Sequence, residues 1–186
     1  MSELSSLFVK VKITKNQFEN FLSSSPQKPE LNNNWLAWWE SRNMYSKMDL
    51  TTEWLRAYND ANNKSVLDGW LDAQQAFAFS DYDEASEEWR LGIIFFSENY
   101  LEMLPMFAFV ISLEKYISES TDNLAIVYPF FWGDSHVSAY INFEEGIASF
   151  NNKIQTTADV NPEILNSVTA YLSKKWDELL ENTEID

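Results

Sequence analysis

The sequence predicts an α+β fold: an antiparallel sheet of about six strands with helices packed against it. Three observations predict it. Period-2 apolar runs occur in pairs joined by turn residues, without the regular strand–helix alternation of a parallel sheet. Several other stretches carry apolar side chains three and four apart, the spacing of a helix face. And 186 residues, 45% of them apolar and including 8 Trp, 8 Tyr and 13 Phe, supply one core of ordinary size. No repeat of 20 to 50 residues is visible, so residues 1–186 read as a single domain, with room for a helical, aromatic-rich insertion at 34–72.

The elements follow in order. Leu7, Val9, Val11 and Ile13 alternate with Lys10 and Lys12, which predicts a first strand with one wet face. Thr14 caps a short helix carrying Phe18, Phe21 and Leu22, and three serines and two prolines between Ser23 and Pro29 end it. Trp35, Trp38 and Trp39 give a second helical face reaching to Tyr45, and Trp54, Leu55 and Tyr58 a third within Leu50 to Ala61. Asn62 to Lys64 reads as a turn, with Ser65 capping a short helix from Val66 that Gly69 weakens.

Ala76 to Tyr82 and Trp89 to Phe96 form a predicted hairpin around the acidic stretch Asp83 to Glu88. Ser97 caps a long apolar helix from Glu98 to about Ser118, which Pro105 should kink or restart because it lacks a backbone donor. Leu124 to Phe131, His136 to Phe143 and Ile147 to Asn152 make a meander, turned at Gly133-Asp134 and Glu145-Gly146. Asn161 and Pro162 then start a last helix with a stripe of Ile164, Leu165, Val168, Tyr171, Leu172, Trp176 and Leu179.

Charge bounds the function. The chain holds 29 Asp and Glu against 13 Lys and Arg, a formal net charge of -16. A field of that sign repels nucleic acid and anionic lipid and speeds encounter with basic partners. Cysteine is absent, which removes disulfides, thiolate metal sites and a cysteine nucleophile, and His136 is the one histidine. No phosphate-cradling glycine motif occurs among the four glycines. The start of the sequence does not read as a signal peptide, and its apolar runs are too short to span a bilayer. The expectation is a cytoplasmic protein with no cofactor, no nucleic-acid partner and no membrane contact; pattern alone assigns no oligomeric state.

The densest charge is Asp81, Asp83, Glu84, Glu87 and Glu88, with no basic residue before Arg90. A calcium loop counted from Asp81 would need glycine where Ser86 stands and a carboxylate where Gly92 stands, so that reading fails. What remains is a solvated hairpin loop or a contact surface for a basic partner, in which Tyr82 would be an aromatic anchor. A second concentration, Asp177, Glu178, Glu181, Glu184 and Asp186, opposes the dipole of the last helix. Trp132 and Asp134 lie at a turn in aromatic company: buried, as strand-end aromatics usually are, Trp132 is core, and exposed it is an interface anchor. A lone histidine on a strand, such as His136, is more often a structural hydrogen-bonding group than a base.

Two segments, FFSENYLEMLP from Phe95 to Pro105 and YPFFWGDSHVSAY from Tyr128 to Tyr140, together with the small acidic format, resemble the cytosolic immunity proteins that bacteria keep beside polymorphic or contact-delivered toxins. That resemblance implies tight binding of a cognate toxin domain, without catalysis. The candidate contact residues, read from the charge and aromatic patterns and not from the resemblance, are Asp81, Tyr82, Asp83, Glu84, Glu87, Glu88, Trp132 and Asp134. Two alternatives come from other classes: a DNA mimic that occupies a host nuclease or repressor, and a small carboxylate enzyme that uses a divalent cation.

Overall fold

A computed structural model describes residues 3–183 of the chain. The six strands are β1 (Ser5–Lys12), β2 (Ala78–Asp83), β3 (Glu88–Ser97), β4 (Leu124–Tyr128), β5 (Ala139–Glu144) and β6 (Ile147–Phe150). They form one sheet in the order β2-β3-β1-β4-β5-β6, and each neighbouring pair is antiparallel. The helices are α1 (Lys15–Ser23), α2 (Asn33–Glu40), α3 (Asn63–Asp72), α4 (Tyr100–Ser112) and α5 (Pro162–Thr183). The α+β architecture matches the sequence prediction.

Strand β1 is central, and its alternation sorts the molecule into two layers. Leu7, Val9, Val11 and Ile13 point into the larger core with Phe18, Phe21, Trp38 and Phe107 from α1, α2 and α4. The opposite face, predicted to be wet, is dry because α5 lies across it: Phe8 packs with Ile94, Ile126, Val168 and Leu172. Only the Lys10 and Lys12 end of that face keeps polar company, near Glu88. Five apolar residues between Ile164 and Leu172 turn towards this layer, enough to dry a strand face.

Most caps follow from side chains able to accept from the first-turn N–H groups. Thr14 accepts from the Gln17 N–H, Asn32 from Asn34 and Trp35, and Asn161 from Glu163 and Ile164. Two caps differ from expectation. Asn62, not Ser65, caps α3, so the predicted turn is the start of a helix; Asn63 is buried there and donates to the Phe21 carbonyl. Asn99, not Ser97, caps α4, while the Ser97 hydroxyl accepts from the Asn99 N–H.

Helix α4 also runs through Pro105 without a restart. The missing donor affects the first turns only, and the burial of Met103, Leu104, Met106, Phe107, Phe109 and Val110 outweighs it.

No helix forms over Leu50 to Ala61; the segment holds only a turn at residues 52–54. Its buried apolar anchors are Leu50 and Leu55, five apart, which no single helix face presents, while Trp54 turns outward. The aromatic region 34–72 contributes Trp35, Trp38, Trp39, Leu55, Val66 and Leu67 to the same core as β1. Arg42 pins it: fully buried, it donates to the Val137 and Ser138 carbonyls at 2.8 Å, to the Ser41 hydroxyl and to Gln155 Oε1.

In the meander, Glu145 and Gly146 both take positive φ, 53° and 75°, and close the β5–β6 hairpin in two residues. Gly133 also has positive φ, 72°, but it turns within a longer connection, and His136 makes an isolated bridge to Thr156 instead of starting β5.

Candidate interaction surface

The register of the sheet decides which predicted contact residues can act together. Ser6 of β1 faces Tyr128, so Trp132 and Asp134 lie beyond the first end of β1; Lys12 faces Glu88, so the acidic hairpin lies beyond the other. The intervening strand is roughly 20 Å long at the rise of an extended chain. The predicted anchors therefore belong to two surfaces.

At the hairpin end most of the charge is absorbed by the fold. Glu88 is only 6% exposed and is paired with Lys10, Lys12 and Arg90. Asp81 accepts from the Tyr171 hydroxyl at 2.8 Å and from Lys175 at 3.0 Å, and the Arg90 guanidinium lies 4.5 Å above the Tyr171 ring. Glu84 pairs with Lys15 at 3.5 Å in solvent. Asp83 closes the turn by accepting from the Ala85 and Ser86 N–H groups, and the Ser86 hydroxyl with these amides holds its carboxyl below the usual aspartate range. Tyr82 is no free anchor: its ring stacks on Phe18 at 5.2 Å and its hydroxyl donates to the Ile13 carbonyl. Like Asp83, Glu87 pairs with no Lys or Arg among the described residues, and it is exposed, with positive φ.

Unbalanced charge gathers at the same end on the far side of the sheet. Glu119, Glu144 and Glu145 line an open cleft of about 590 Å³ with Tyr140 and Phe143, and no Lys or Arg lines it.

The opposite end is aromatic. Phe131 and Trp132 are 41% and 45% exposed, and their rings meet edge to face at 5.2 Å. Behind Phe131 stand Phe95 and Trp176 at 5.1 Å each, and Phe77 reaches Trp176 at 4.9 Å. Trp132 is thus not core. Exposed Asp134 and Asp177 rim this wall, with Asp134 accepting from the Ser135 N–H.

Phe77, Phe95, Phe131 and Trp176 were not among the predicted contact residues. Phe95 reaches the wall because β3 carries two more residues than β1 between the Leu7–Ile93 and Ser5–Ser97 pairs, and this irregularity turns Ile94 and Phe95 to the same face. The unbroken Ile93-Ile94-Phe95-Phe96, after Trp89 and Leu91 have alternated with Arg90 and Gly92, is the sequence signal for it. Trp176 was visible as part of the α5 stripe, but periodicity does not say that this turn of the helix overhangs the end of the sheet.

His136 Nε2 lies 2.9 Å from the Tyr100 hydroxyl, and burial, then the Arg42 charge, hold its pKa below the usual histidine value. It serves as a hydrogen-bonding group. Among the described residues no three His, Asp or Glu side chains converge as a metal site would need, and no helix is long and apolar enough to cross a membrane. Glu184 and Asp186 of the predicted acidic tail lie outside the described residues. Comparison with known proteins gives no matching family model, no matching curated protein and no matching solved structure.

Proposed function

We propose that this chain is a binding protein of the immunity type, which neutralises a basic toxin domain by occupying it. The observation that carries the reading is the exposed Phe131–Trp132 pair, backed by Phe95 and Trp176 and rimmed by Asp134, on a body of net charge -16. Aromatic side chains with rigid backing lose little freedom on binding and form the energetic centres of protein interfaces, while like-signed charge outside the contact raises the rate of encounter. The roles divide accordingly. Trp132 and Phe131 hold the partner, and Glu87 with Glu119, Glu144 and Glu145 draws it in.

The test is co-expression with the basic C-terminal domain of a toxin encoded beside this gene, followed by stopped-flow association of the purified pair. Protection of growth and a 1:1 complex are expected, with association slowing at least tenfold between about 50 and 500 mM salt as screening shortens to a few ångströms. Failure to protect, or association indifferent to salt, would count against the proposal.

A further inference from the structure

We infer that the outer edge of β2 accepts an extended, Lys- or Arg-bearing segment of the partner as a seventh strand. This deepens the reading above and rests on it for the partner's basic character.

The inference starts from backbone phase. The Ile94 N–H donates to the Phe77 carbonyl and the Ile13 N–H to the Glu87 carbonyl. With the antiparallel register, these two bonds fix which residues of β2 face β3: Phe79, Asp81 and Asp83 face inward, and Ala78, Ser80 and Tyr82 turn their N–H and C=O groups outward. Among the described residues those outward groups have no backbone or side-chain partner. The residues that carry them are partly exposed.

The other edge of the same sheet is treated differently. On β6 the outward residues are Ala148 and Phe150, and three of their four backbone groups are bonded: the Ala148 N–H donates to Glu114 at 2.7 Å, and the Asn34 side-chain amide exchanges two bonds with Phe150, at 2.8 and 2.9 Å, as a neighbouring strand would. An unpaired edge is a template for another chain, and folded proteins usually block it. One edge here is blocked and the other is left open.

Charge selects the occupant. Lys175 and Lys15 answer Asp81 and Glu84, but Asp83 on β2 and Glu87 past its end have no ion pair among the described residues, and the strand AFSDYD itself carries none of the lysines that commonly guard an edge. A second copy of the chain would bring the same carboxylates against these, whereas a cationic strand would meet them with opposite charge. The edge is also firmly held: Phe79 covers Gly92 of β3, where a Cβ would come within 2.2 Å of the ring. And β2 connects the two surfaces, since Phe77 at its start belongs to the aromatic wall and Glu84 and Glu87 at its end to the hairpin. A strand laid along it would touch both.

The probe is a capped heptapeptide of alternating Lys and Val, compared with its Glu-Val counterpart and with a Lys-Val peptide N-methylated at alternate backbone nitrogens. Amide hydrogen exchange of the intact protein is followed by NMR. The Lys-Val peptide is expected to slow exchange of the Ala78, Ser80 and Tyr82 amides at least tenfold at saturation, leaving Ala148 and Phe150 unchanged, and the other two peptides are expected not to. Ser80→Pro removes an outward N–H and should weaken binding at least tenfold, while Ser80→Ala, which keeps that N–H, should not; if Ser80→Pro fails to fold, the N-methylated peptide alone decides. Unchanged exchange at the three amides, equal protection by the Glu-Val peptide, or protection that grows with protein concentration without peptide and so marks a second copy, would each overturn the inference. A toxin domain that is bound and neutralised while these amides still exchange freely would overturn the edge alone. Peptide docking as described without any toxin bound would uphold the edge and overturn the immunity reading.

Discussion

The two ends of β1 are built from different side chains, carboxylates at one and rings at the other, and dispose of them in opposite ways. At the Lys12 end a cluster that is conspicuous in sequence is mostly folded into the molecule: Glu88 is buried among Lys10, Lys12 and Arg90, and Asp81 is held by Lys175 and Tyr171. At the Ser6 end rings that a core would normally take are left facing solvent, with Phe131 and Trp132 over Phe95 and Trp176. Density of a residue type along the chain therefore does not mark a contact surface. What marks it is the residue left without a partner once the sheet has formed.

Substitutions at the two ends should separate stability from binding. The largest effect is expected for Glu88→Ala, which leaves Lys10, Lys12 and Arg90 close together without their shared carboxylate. Urea unfolding should show a loss of about 3 kcal/mol, the lower range for breaking a buried ion pair because the cations are partly hydrated. A loss within about 0.5 kcal/mol, typical of a surface position, would return Glu88 to the candidate contact residues. Next comes Trp132→Ala. It should leave the unfolding curve nearly unchanged and weaken the toxin complex by about 2 kcal/mol, roughly 30-fold in affinity and mostly through faster dissociation. If the melting point falls while affinity holds, the aromatic wall is packing and not an anchor.

A smaller effect is expected from Glu144→Gln combined with Glu145→Gln, both exposed and away from the β2 edge. Association at low salt should slow by about threefold with dissociation unchanged, because these exposed carboxylates act through the field and not through contact. Equal slowing at high salt would place them inside the interface and erase the distinction between the two ends.

Much of the fold was legible because its signals are local. The alternation of Leu7 to Ile13, the Thr14 and Asn161 caps and the Glu145-Gly146 turn each depend on a few neighbouring residues. The errors came where a distant partner decides. The Lys10 and Lys12 face looked wet until α5, more than 150 residues later, covered Phe8. Leu50 and Leu55 are buried without a helix because the core needs their side chains and not the intervening face. The candidate contact residues were least legible: Tyr82 is occupied by Phe18 and Ile13, and Trp132 is paired with Phe131 against a helix whose position the sequence does not state. Pairing along the chain is readable, whereas pairing across the sheet has to be seen.

The smallest expected effect sharpens the comparison at the hairpin tip, where Asp83 serves the turn. Its carboxyl accepts from the Ala85 and Ser86 amides and the Ser86 hydroxyl, which lowers its pKa from the ordinary aspartate value of 3.8. A carboxyl with a depressed native pKa binds its proton more readily when unfolded, so its contribution is present above the unfolded value and lost as pH falls through the native one. Asp83→Asn keeps an oxygen acceptor for the same amides and removes the titration. Thermal melting of the two proteins from about pH 6 down to about pH 2 should show a small advantage for the native chain that disappears with acid. An advantage independent of pH would mean that the charge on Asp83 is not used by the turn, and would place it with Glu87 among the carboxylates left to face a partner.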